Sequence, residues 1–142
     1  MIIGHLPAGY LLTRWLTARA PLRARNTKVL MAAGMLGSVF PDFDMFYFYF
    51  IDNRQTHHHL YWTHWPMFWI LVLVVSAVLF IALKQRAWLL IACVFVANAL
   101  VHLMLDTNVG DVWCLAPFVN QSFALFTVPA IYKPWWLNFI LH

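Results

Sequence analysis

The chain has 142 residues, 63% of them hydrophobic and 10% charged, with a mean hydropathy of +0.73 and a formal net charge of +4. A soluble domain carries about 25% charged residues, so the composition is that of a membrane protein. All five acidic residues are aspartates (Asp42, Asp44, Asp52, Asp106 and Asp111), which excludes motifs that need a glutamate, including the HExxH of zinc peptidases.

The opening stretch MIIGHLPAGYLL lacks a basic n-region and an A-x-A cleavage site, so it is expected to remain as a first apolar segment carrying His5. Up to Leu16 it reaches about 24 Å against roughly 30 Å of hydrocarbon, so it spans poorly or lies tilted and shielded. Val29 to Phe40 is a short apolar helix rich in Gly, Ala and Met that runs into Pro41. It spans only with the aromatic stretch Met45 to Ile51 included. Met67 to Leu83 is a seventeen-residue apolar run opened by Pro66, and Ala87 to Leu105 is a nineteen-residue run holding Asn98 and His102. Joined through Lys84-Gln85-Arg86, the two are expected to form a helical hairpin of spans. From Asp111 the chain turns irregular through Pro117, Pro129 and Pro134. Trp113, Tyr132, Trp135 and Trp136 suit an interfacial layer, so this part is expected to form a re-entrant or surface-lying cap. The fold class is an all-α integral membrane protein, a bundle of about four transmembrane helices in one domain over residues 1–142.

Seven of the nine Lys and Arg residues fall in two connections, Arg14 to Lys28 and Lys84 to Arg86. The positive-inside rule places both in the cytoplasm, near anionic headgroups. Little aromatic interleaving argues against a nucleic-acid patch. With those connections inside, His5, the Asp42 to His64 stretch and the His102 to Asp106 end all lie toward the outer face.

His102 and Asp106 are four apart in a helix and share one face, with Asn98 a turn earlier. At membrane depth they are costly unless paired or bound. Asp42 and Asp44 stand two apart after Pro41. His57, His58 and His59 form a triplet followed by Thr63 and His64. Each group has an ordinary explanation: a histidine bonded to a neighbouring helix, a solvated helix end, an exposed loop. Together, however, His5, Asp42, His59, His64, His102 and Asp106 make six nitrogen or carboxylate ligands, with His57 and His58 in reserve. A catalytic zinc needs about three, so six suffice for one or two ions; manganese or iron would also accept these donors. A bridging aspartate would set two ions roughly 3.5 to 4 Å apart, as in phosphoester hydrolysis. Cys93 and Cys114 form no CxxC and read as small buried hydrophobes, and Ser38, Ser76 and Ser122 show no GxSxG elbow.

Gly4-His5, GSVFPDFD, HLYWTH and HLMLDTNVGDVWCLAPF resemble, in order, the motifs of the YdjM-like family of bacterial inner-membrane, metal-dependent hydrolases, over residues 4 to 118. That family looks distantly related to zinc-dependent phospholipases C and the single-strand zinc nucleases. The resemblance implies the same six residues as metal ligands, Asp44 as a ligand or orienter, and Gly110 with Ala116 to Phe118 as a structural end. Where the family often has His-Arg-Gly-x-Thr-His, this chain has His59-Leu60-Tyr61-Trp62-Thr63-His64, losing a cation that Arg54 would have to replace. The expected activity is hydrolysis of a (phospho)ester of a lipid or lipid-linked substrate by a metal-activated water at the outer face, with Asp44 or Asp111 orienting or deprotonating the water. Divalent-metal transport or sensing, and a non-enzymatic structural subunit, are the alternatives.

Overall fold

The computed structural model describes residues 2–19, 27–83 and 86–127. Helices α1 (Ile2–Arg19), α2 (Thr27–Gly37), α3 (Asp44–Phe50), α4 (Pro66–Ala82) and α5 (Arg86–Asp106) are joined by single 3-10 turns at Pro41–Phe43, His58–Leu60 and Trp62–His64. Pro66 opens α4 at a position where its missing N–H costs nothing. Pro41 instead turns the chain between α2 and α3, so that α2 and the segment Pro41–Phe50 meet at 54°.

Helix α5 is the hub, packed against α1, α2 and α4. Its apolar contact with α4 centres on Trp69, Val96, Ala99 and Leu103, with Phe40, Phe68 and Phe95 around them. The Trp69 indole donates to the Thr63 carbonyl at 2.7 Å, tying α4 to the turn before it. On the opposite side small residues let backbones touch. A Cβ on Gly34 would stand 1.9 Å from Thr13 Oγ1, and one on Gly37 would stand 2.2 Å from the Phe95 carbonyl oxygen. Asn98 fills the space they leave, donating to Thr13 Oγ1 at 3.0 Å and to Val94 O at 2.8 Å. Small residues and a polar clasp are how helices associate where lipid removes the hydrophobic drive. This clasp sets the start of α1 beside the end of α5.

The all-helical expectation holds among the described residues, but the four-span bundle is narrowed. Helix α5 is long and apolar enough to cross a membrane, and the bent α2 to α3 pair makes a second candidate. At 17 residues α4 is apolar but short, and α1 carries His5, Thr13 and Arg14 within 18 residues. After α5 the chain runs through turns at 107–109 and 114–118, with Val112 and Phe123 exchanging two 2.9 Å hydrogen bonds as an isolated antiparallel bridge. The remainder of the expected cap (Pro129, Tyr132, Pro134, Trp135 and Trp136) lies outside the described residues, as do Arg23, Arg25 and Lys84.

A helical Gly→Ala exchange normally gains about 1 kcal/mol. At Gly37 the sign is expected to reverse, with a loss of about 1–3 kcal/mol from overpacking. A lower thermal midpoint of Gly37→Ala in detergent checks the α2 to α5 contact; an unchanged or raised midpoint contradicts it.

Candidate metal centre

Each helix end delivers its chemistry to one place. Helix α1 supplies His5 from its first turns, α5 supplies His102 and Asp106 from its last turn, the turn after α2 supplies Asp42, and the turns before α4 supply His59 and His64. His64 and His102 are fully buried, and His5 and Asp106 are 2% exposed. The Asp106 carboxylate is the junction. Its Oδ1 lies 3.0 Å from His5 Nε2, and its Oδ2 lies 3.0 Å from His102 Nε2 and 3.7 Å from His64 Nε2. His102 Nε2 is also 3.4 Å from Asp42 Oδ1.

These separations are not hydrogen bonds. His5 Nε2, His64 Nε2, His102 Nε2 and Asp106 Oδ2 are all buried without a hydrogen-bond partner. Donors 2.0–2.1 Å from a tetrahedral ion lie about 3.3 Å from each other, the middle of the observed range. Three overlapping triads have their ligand atoms within 4.8 Å of one another: His5, Asp42 and His102; His64, His102 and Asp106; and His58, His59 and His64. Each triad could hold a cation: an inner one from α1, α5 and Asp42, an outer one from the His58 to His64 turns, and one that joins His64 to the end of α5.

The far nitrogens of the rings are anchored. His102 Nδ1 lies 2.7 Å from the Ser38 carbonyl, His64 Nδ1 lies 2.6 Å from Asp44 Oδ2, and His59 Nδ1 lies 2.5 Å from the Asp111 carbonyl. Each acceptor holds the proton on Nδ1, which leaves Nε2 with its lone pair facing the cluster. Metal-binding histidines are fixed in this way. Thr63 Oγ1 donates to the same Asp44 oxygen at 2.5 Å.

The structure thus brings His5, Asp42, His64, His102 and Asp106 together and sets His59 beside His64, their ring centroids 4.6 Å apart. His58, held in reserve by the sequence, belongs to the outer triad. His57 acts on the turn, where its Nδ1 accepts the His59 main-chain N–H at 3.3 Å. Asp44 lies behind His64, in contact with its Nδ1. Of Asp111, it is the main-chain carbonyl that meets the cluster. Arg54 does not take the place of the absent cation, since its guanidinium lies over the Tyr49 ring at 4.8 Å. The Ser38 carbonyl is an anchor that no side-chain pattern signals.

With the geometry in hand, comparison with known proteins adds one result: a family model described as YdjM inner membrane protein matches residues 1–142. The chain belongs to the YdjM inner membrane protein family. No curated protein and no solved structure matches it. The YdjM match widens the motif resemblance from residues 4–118 to the whole chain and gives an inner-membrane protein. Its description names a place and not a reaction, and it lends no support to a kinship with phospholipases C.

Outside the helices, burial and the nearby His64 push His59 down to about 3, and burial with the imidazoles of His59 and His64 pushes His58 well below 6.5. Both rings are neutral, the ligating form, at neutral pH. In chelator-treated protein the unfolded chain takes up protons at these rings as the pH falls through 6.5 while the folded chain does not. Stability should therefore fall with acidification from that point, and the fall should be shallower in His59→Gln. Thermal midpoints between about pH 7 and pH 5 check the sign. Elemental analysis of detergent-purified protein is expected to show metal in the wild type and little in Asp106→Asn or His102→Ala. Asp44→Asn should keep the fold and bind metal about 10–100-fold more weakly.

Proposed function

We propose that this YdjM-family chain is a membrane-bound, metal-dependent hydrolase that cleaves an ester, in particular a phosphoester, of a lipid or lipid-linked substrate. The observation that carries the proposal is the Asp106 carboxylate, shared by three buried imidazoles whose near nitrogens make no hydrogen bond. Bound zinc, or manganese or iron, would make a water nucleophilic near neutral pH and stabilise charge on the ester oxygens. The chain's own residues do the rest. Asp106 and Asp42 balance the cationic charge, and the Ser38, Asp44 and Asp111 anchors keep three imidazoles in one tautomer. Asp44, fixed by Thr63 and His64, is an orienter in this reading. The Asp111 carboxylate is the remaining candidate to accept a proton.

The bilayer setting supports a lipid substrate. A positive-inside orientation, with the connections around Arg14 to Lys28 and Lys84 to Arg86 in the cytoplasm, opens the site at the outer leaflet. Additional spans from α1 and α4, shielded by the other helices, belong to the same proposal. A metal transporter would string its ligands along the membrane normal, whereas these converge within one cluster.

Purified protein is expected to hydrolyse phospholipids or a generic phosphodiester, to lose activity on chelation and to regain it with zinc or manganese. His102→Ala should cost at least about 10²-fold in turnover, the scale of one lost charge-stabilising group. A metal-loaded wild type that is inert toward both substrate types, and indistinguishable from His102→Ala, overturns the reading.

A further inference from the structure

Behind the metal centre lies a cavity of about 510 Å³ walled by the aromatic side chains of Phe40, Phe43, Tyr47, Tyr61 and Trp62, with Asp44 and Thr63 completing the lining. It stands on the Nδ1 side of His64, the side held by Asp44, and so away from the metal-facing Nε2. Asp44 is only 7% exposed. Its Oδ2 accepts from both Thr63 and His64, while its Oδ1 is buried with no partner. A buried carboxylate oxygen needs a donor, and leaving it unmet is costly.

The walls choose among donors. Two phenol hydroxyls beside a single carboxylate make a poor ligand set for a metal ion, and Asp44 repels phosphate. Ring faces and a carboxylate together are the recognition chemistry of an alkylammonium group. The rim chooses the carrier: Phe43, Tyr47 and Trp62 are 47%, 48% and 49% exposed, and Phe46 and Phe50 continue the apolar surface along α3, within the bent span candidate. We infer that this cavity is a binding site for the ammonium headgroup of a membrane lipid such as phosphatidylethanolamine, separate from the metal ligands and coupled to them only through the shared Asp44 carboxylate.

The test uses the full chain reconstituted with equal phosphatidylethanolamine and phosphatidylglycerol, mild re-extraction, and mass spectrometry of the retained lipid. Wild type is expected to enrich phosphatidylethanolamine about three- to tenfold over the vesicle ratio, the factor one cation–π contact supplies. Tyr47→Leu and Trp62→Leu, at half-exposed positions, and Asp44→Asn should each bring the ratio back toward that of the vesicle. N-acylated phosphatidylethanolamine, which keeps the chains and loses the cation, should not be enriched. Absence of enrichment in wild type overturns the inference, as does equal enrichment of the N-acylated lipid, enrichment undiminished in all three variants, or binding of free ethanolamine without the lipid. Metal content measured on the same samples separates this outcome from the fate of the hydrolase reading, because metal-loaded protein without lipid preference sinks the inference alone.

Discussion

A carboxylate buried at the end of the longest described helix is the constraint on which the rest of this molecule turns. Asp106 is 2% exposed and has imidazole nitrogens 3.0 and 3.7 Å from one oxygen and another 3.0 Å from the second. Removing such a group from water costs several kcal/mol unless positive charge meets it. Every neighbouring element can be understood as supplying or holding what meets it. The glycines of α2 let α5 and α1 close up, the Asn98 clasp sets their register, and the anchors behind His59, His64 and His102 fix which nitrogen faces inward.

The two lobes of the centre are built differently. The inner candidates His5, His102 and Asp106 ride on the long helices α1 and α5, which are joined by the Asn98 to Thr13 clasp, and α5 is locked to α2 by the Gly37 to Phe95 approach. The outer candidates His58, His59 and His64 ride on single 3-10 turns, held by the Asp111 carbonyl, by Asp44 and by the Trp69 indole on Thr63. A site held by helices is more precise than one held by turns. In the proposed hydrolase the inner position would suit a resident ion and the outer the one that works on substrate, with Asp44 lying between His64 and the aromatic cavity.

Much of this was legible in the sequence, for identifiable reasons. The apolar runs and Pro66 mark α4 and α5 almost to the residue, because length and composition decide a helix in lipid. The HxxxD spacing of His102 and Asp106 fixes their shared face once the helix is granted. The span count was less legible: α1 mixes polar with apolar residues, and the bend at Pro41 splits what composition alone would join. The roles of Asp44 and Asp111 could not be separated either, since one acts through its side chain and the other through its carbonyl. Main-chain acceptors such as Ser38 O leave no trace in residue identity. His58 was hard to distinguish from His57 and His59 because a 3-10 turn and an α-turn aim consecutive rings differently.

The last anchor of the centre, the Asp111 carbonyl on His59, comes from beyond α5, whereas the first ligand, His5, is in the opening turn of α1. A chain leaving the ribosome therefore carries donors for the site almost from the start, yet it cannot fix the outer lobe until the segment after α5 has folded back.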